Sequence, residues 1–99
     1  MQVHELIQLE KQIEELVETR NAEGLVELVN KYVRSPLVVK EFNYLLRAQT
    51  MKLFTEKYIV LMFATKTSTE IHVFKMWSET PNGWRRSGVK VLKAVLPRK

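Results

Sequence analysis

Neither cysteine nor aspartate occurs among the 99 residues, and glycine and proline appear only three times each. Without cysteine there is no disulfide, no thiolate metal ligand and no thiol nucleophile, so the fold must hold by packing. All eleven carboxylates are glutamates. Aspartate side chains compete with helical hydrogen bonds, so glutamate suits a helix-containing chain. The three glycines, Gly24, Gly83 and Gly88, are scattered, which excludes a Gly-rich phosphate loop. No stretch approaches the roughly 18 apolar residues of a membrane helix. The start, Met1-Gln2-Val3-His4-Glu5, lacks the basic and apolar regions of a signal peptide, so a cytoplasmic protein is expected.

What is present is ordinary in amount and uneven in placement. A hydrophobic fraction of 45% and a charged fraction of 27% indicate a folded globular chain. Its length fits one domain over residues 1–99. The net charge is +5, with residues 1–50 at −2 (six Lys/Arg, eight Glu) and residues 51–99 at +7 (ten Lys/Arg, three Glu). Such asymmetry points to a polyanionic partner for the second half, or to an electrostatic partner for the first.

Periodicity divides the chain into helices followed by strands. Val3, Leu6, Leu9, Ile13, Leu16 and Val17 recur at three- and four-residue steps, which predicts an amphipathic helix over about 3–19. Asn21 is a good N-cap for a second helix over about 22–33, carried by Ala22, Leu25, Val26, Val29, Tyr32 and Val33. Gly24 weakens that helix locally, so it is expected to lean on tertiary contacts. Ser35-Pro36 reads as a helix start, predicting a third helix over about 36–55.

From Tyr58 the period changes. The run Tyr58 to Ala64 predicts a buried strand over about 58–65, followed by strands over about 70–78 and 84–96. Thr80-Pro81-Asn82-Gly83 is the turn of a hairpin between the last two. The expectation is an α+β fold, with N-terminal helices on a three-stranded antiparallel meander.

Catalytic chemistry finds no anchor. His4 and His72 lie in different elements without a ligand pattern. Glu10, Glu14 and Glu18 form an i, i+4 row, which reads first as a solvated helix face. Ser35, Ser68, Ser78 and Ser87 lack a nucleophile-elbow context. The expectation is therefore a non-enzymatic binding protein with no cofactor, no metal and no small-molecule substrate.

The functional signal is the basic, aromatic C-terminal hairpin. Arg85, Arg86, Lys90, Lys93, Arg98 and Lys99 crowd the last fifteen residues, with Lys75 on the preceding strand. Pairing Thr80 with Gly83 sets Trp77 opposite Arg86, Lys75 opposite Gly88 and Val73 opposite Lys90. One face would then show Lys75, Trp77, Trp84, Arg86 and Lys90. The other would offer Phe74, Met76, Val89, Val91 and Val95 to the helices. Cations neutralise phosphates and indoles stack on bases, so DNA or RNA is the leading partner. Its site residues would be Lys75, Trp77, Trp84, Arg85, Arg86, Lys90 and Lys93. The alternative is a homodimer or partner-protein module. It would use the N-terminal helix or an apolar sheet patch of Ile71, Val73, Leu92 and Leu96.

The length, the lack of cysteine and aspartate, and the ending Thr80-Pro81-Asn82-Gly83-Trp84-Arg85-Arg86 resemble small proteins of filamentous and rod-shaped viruses of hyperthermophilic archaea. That resemblance implies a double-stranded DNA virus, a hot acidic setting, and a location in host cytoplasm or virion. It brings no functional residues with it.

Overall fold

Two helices and one sheet make up the chain in the computed structural model, which describes the backbone of residues 3–98 and their side chains except 78–80 and 84–87. Helix α1 runs Val3–Glu18 and buries Leu9 and Ile13 completely. It ends where Arg20 takes a left-handed conformation (φ 54°), which lets the Asn21 N–H reach back to the Leu16 carbonyl at 2.8 Å. That bond satisfies a carbonyl the last turn would leave orphaned. Helix α2, Ala22–Lys31, follows at once. As its N-cap, Asn21 accepts a hydrogen bond from the Gly24 N–H at 2.9 Å through Oδ1.

A third helix does not form. Residues 36–55 instead make a β-hairpin, with β1 at Val38–Asn43 and β2 at Ala48–Phe54. The Ser35 hydroxyl accepts from the Leu37 N–H at 3.0 Å, and the Val38 N–H donates to the Ser35 carbonyl at 3.2 Å. The same chemistry that caps a helix thus turns the chain into a strand. Asn43 repeats the device by accepting from the Leu46 N–H, and Arg47 completes the turn at φ 49°. β-Branched Val38 and Val39 and aromatic Phe42 then favour extended backbone over a helix.

Strands β3 (Tyr58–Ala64), β4 (Ser68–Thr80) and β5 (Gly83–Pro97) follow. All five pair antiparallel in the order β1-β2-β3-β4-β5, so the meander has five strands where the sequence predicted three. The α+β class stands. Thr80 pairs with Gly83 and Trp77 with Arg86, and Gly83 supplies the positive φ of 105° that closes the turn. Farther from the turn the register departs from expectation. Lys75 meets Val89, Phe74 meets Lys90, and Val73 meets Leu92. Irregularities between Val73 and Phe74 and between Lys75 and Trp77 shift the ladder, as bulges do.

Both helices cover one face of the sheet. Leu9, Ile13, Leu25, Leu28 and Val29 pack with Leu53, Tyr58, Val60, Met62, Ile71, Val73 and Leu92 in one core. Fully burying side chains of this size contributes about 1.5–3 kcal/mol each. Ile71, Val73 and Leu92 therefore form no exposed dimer patch, and Leu96 packs partly against the same core. The expected faces are exchanged for Ile71, Val73, Phe74, Lys75, Leu92 and Val95, whereas Val91 packs toward the helices and Lys90 lies on the open face as expected.

Gly24 sits where the helices come closest. A Cβ there would lie 2.6 Å from Leu16 Cδ2 and 2.8 Å from Asn21 Nδ2. Helix propensity alone predicts that Gly24→Ala stabilises by about 1 kcal/mol. The close approach reverses the sign, because the capping amide of Asn21 and the Leu16 side chain must both shift. Urea melts should show Gly24→Ala less stable than wild type by about 1 kcal/mol. A gain in stability would contradict this packing.

Candidate nucleic-acid interface

Side chains alternate across a strand, so the core face defines the other face by register. Phe54 pairs with Ile59, and Ile59 with Phe74, which pairs with Lys90. Lys52 pairs with Leu61, and Leu61 with His72, which pairs with Lys93. Thr50 pairs with Phe63, Phe63 with Glu70, and Glu70 with Val95. These three rows form a face opposite both helices, with phenylalanines set among lysines.

Individual contacts give the face definite geometry. Lys90 Nζ lies 5.5 Å from the centroid of the Phe74 ring, within cation–π range. The Phe63 ring meets His72 edge-on at 5.7 Å. His72 is buried, and its Nε2 lies 3.3 Å from Glu70 Oε1. Glu41 lies at the rim, with its backbone carbonyl accepting from the Thr50 hydroxyl at 3.1 Å. A groove of about 500 Å³ opens there, floored by Thr50, Lys52, Leu61 and Phe63 and walled by Tyr44 and Leu45 of the β1–β2 turn.

The predicted site residues divide among three places. Lys90 and Lys93 lie on the open face and are exposed. Lys75 pairs with Tyr58 on the helix side, beside a small cavity lined by Glu14 and Glu18, so it is separated from them. Trp77 is half-buried on β4 and pairs with Arg86. The side chains of Trp84, Arg85 and Arg86 lie outside the described residues. Lys52, Phe54, Phe63 and Phe74 were missed by the sequence reading. Their signal was the alternation of Lys52 and Phe54 on β2, which the predicted third helix concealed.

Charge is segregated between the layers. Residues 1–37, which include both helices, carry seven Glu against four Lys/Arg, for −3. Residues 38–99, which form the sheet, carry twelve Lys/Arg against four Glu, for +8. The Glu10, Glu14, Glu18 row is more than a solvated face. Glu10 Oε2 accepts from the Lys57 N–H at 2.7 Å across the β2–β3 turn. Burial, then the charges of Glu14, Glu10 and Glu18, push the Tyr58 phenol above its ordinary pKa.

Among the described residues, no cluster of three or more His or Glu side chains could hold a metal ion, and no helix is long and apolar enough to cross a membrane. No family model matches the chain, and neither a curated protein nor a solved structure matches it.

The raised Tyr58 pKa sets a pH dependence. Below about pH 10 the phenol is neutral in both folded and unfolded chains, and its contribution to stability is fully present. Above that value the unfolded chain releases the proton first, so the contribution is lost as pH rises through the folded pKa. Tyrosinate absorbance should show one group titrating above the ordinary range, and Tyr58→Phe should remove it. Retention of that late transition in Tyr58→Phe would contradict the assignment.

Proposed function

We propose that this protein binds nucleic acid, without catalysis, across the sheet face that the helices leave open. The observation that carries the reading is the interleaving of Phe54, Phe63 and Phe74 with Lys52, Lys90 and Lys93 on one face. Unpaired bases can stack on exposed rings while lysines neutralise the adjoining phosphates. Stacking requires bases out of a duplex, so single strands fit this surface better than double helices. The acidic helices lie on the opposite side, which orients the molecule toward a polyanion. The β4–β5 hairpin that adjoins this face carries Trp77, and Trp84, Arg85 and Arg86 lie in its sequence. Lys75, beside Glu14 and Glu18, does not belong to it. The resemblance to small archaeal-virus proteins would place this binding in a hot host cytoplasm or in a virion.

A second reading is favoured by the exposure of Phe54, Val39 and Val95 on the same face. Without nucleic acid, those side chains would suit a homodimer or a partner protein.

Fluorescence anisotropy with labelled single- and double-stranded DNA at two salt concentrations separates the readings. The expected result is tighter binding to single strands. Three lysine contacts give a salt slope of about −2, so a fourfold rise in salt should weaken binding by roughly tenfold to twentyfold. Lys52/Lys90/Lys93→Ala should remove most of that slope, and Phe54→Ala should weaken binding at every salt concentration by about tenfold. If wild type binds neither DNA at low salt, the nucleic-acid reading fails. The face then passes to the protein-partner reading, for which sedimentation equilibrium gives the oligomeric state.

A further inference from the structure

The β1–β2 turn, whose Tyr44 and Leu45 also wall the groove beside Glu41 and Lys52, carries a second surface at its tip. Phe42, Tyr44, Leu45 and Leu46 stand 52%, 82%, 96% and 61% exposed around one hairpin tip. Water is a poor solvent for such a cluster. The tip is held in place: the Phe42 and Tyr44 rings pack edge-to-face at 4.8 Å, and Asn43 Oδ1 accepts the Leu46 N–H at 3.0 Å. Arg47, Lys66 and Arg98 ring a hollow at its base that Phe42 and Tyr44 also line. Arg98 is anchored there, with Nη1 donating to the Thr65 carbonyl at 2.8 Å. Among the described residues, no carboxylate lines that hollow.

An apolar tip above a collar of cations matches a surface with an anionic plane over an apolar interior. We propose that the β1–β2 tip docks on an anionic lipid bilayer, with Leu45 and Leu46 entering the acyl boundary. Tyr44 lies at headgroup level, and Arg47, Lys66 and Arg98 meet the lipid phosphates. Shape and size favour this over a second copy of the chain. The tip exposes roughly 600 Å² of apolar side chain, as large as patches that mark functional surfaces but short of the about 800 Å² per partner of a stable dimer. A side chain as far out as Leu45 would need a matching pocket on a protein partner, whereas a bilayer accepts a convex knob of any shape.

Vesicle co-sedimentation tests the proposal, using phosphatidylcholine alone and phosphatidylcholine doped with phosphatidylserine. Wild type should pellet with the doped vesicles and at least fivefold less with neutral ones. Leu45→Ser/Leu46→Ser, at positions too exposed to support the core, should lose pelleting at least tenfold with an unchanged far-UV spectrum. Arg47→Ala/Lys66→Ala should bind both vesicle types equally. Lys90→Ala/Lys93→Ala, on β5 away from the tip, should pellet like wild type, so a failure of the nucleic-acid reading leaves this result standing. Wild type remaining in the supernatant with both vesicles would overturn the proposal, as would unchanged pelleting of the leucine variant. A wild-type dimer that the leucine variant dissolves would also overturn it, assigning the tip to a second copy.

Discussion

The packing of two short helices onto one face of the sheet decides the rest of the molecule. A helix as short as α2, Ala22–Lys31, is marginal alone in water, so it exists because Leu25, Leu28 and Val29 dock on the sheet. The sheet in turn needs one covered face to be stable. Leu9 and Ile13 of α1 complete that cover over Val60, Ile71 and Val73, all fully buried. Among the described residues the two helices cover one side. The other remains open, and its residues are free to serve recognition rather than packing.

Charge follows the same division. Carboxylates concentrate on the helical layer, where Glu10, Glu14 and Glu18 gather above Tyr58, while cations concentrate in the sheet. The local consequence is the raised Tyr58 phenol. The global one is an acidic helical layer on a net basic sheet, whose Lys52, Lys90 and Lys93 share the uncovered face with the aromatic rings. Aromatic rings alone would mark an interface of any kind, and lysines alone would serve solubility. Their coincidence on one face is the feature on which the proposed nucleic-acid binding rests.

Much of this was legible in the residues. The period of Leu6, Leu9, Ile13 and Leu16 located α1, Asn21 located the start of α2, and Thr80-Pro81-Asn82-Gly83 located the last hairpin with its near-turn pairing. Two things were not. Leu37, Val38, Leu45 and Leu46 recur at seven- and eight-residue steps that fit one helix face, yet Asn43 and Arg47 commit the chain between β1 and β2 to a turn through side-chain capping and a left-handed backbone. Nor could β4 announce its covered face, because Ile71 and Val73 on one side are matched by His72 and Phe74 on the other. Alternation specifies faces only when one set is polar. The bulges beside Phe74 and Met76 then moved Lys75 and Lys90 to opposite sides, which no spacing in the sequence foretold. Lys90 and Lys93 survived as neighbours on the open face, whereas Lys75 did not.

Which face is open can be measured directly because the chain has no cysteine of its own. Single substitutions Val73→Cys and Val95→Cys place one thiol under the helices and one on the opposite face, from positions 0% and 54% exposed. The rate of thiol modification under native conditions reads their accessibility. Rapid modification is expected at position 95 and protection at position 73, released only on unfolding. Equal rates, or faster modification at position 73, would mean that the helices do not cover the Val60–Ile71–Val73 face and would remove the basis for placing recognition on the other.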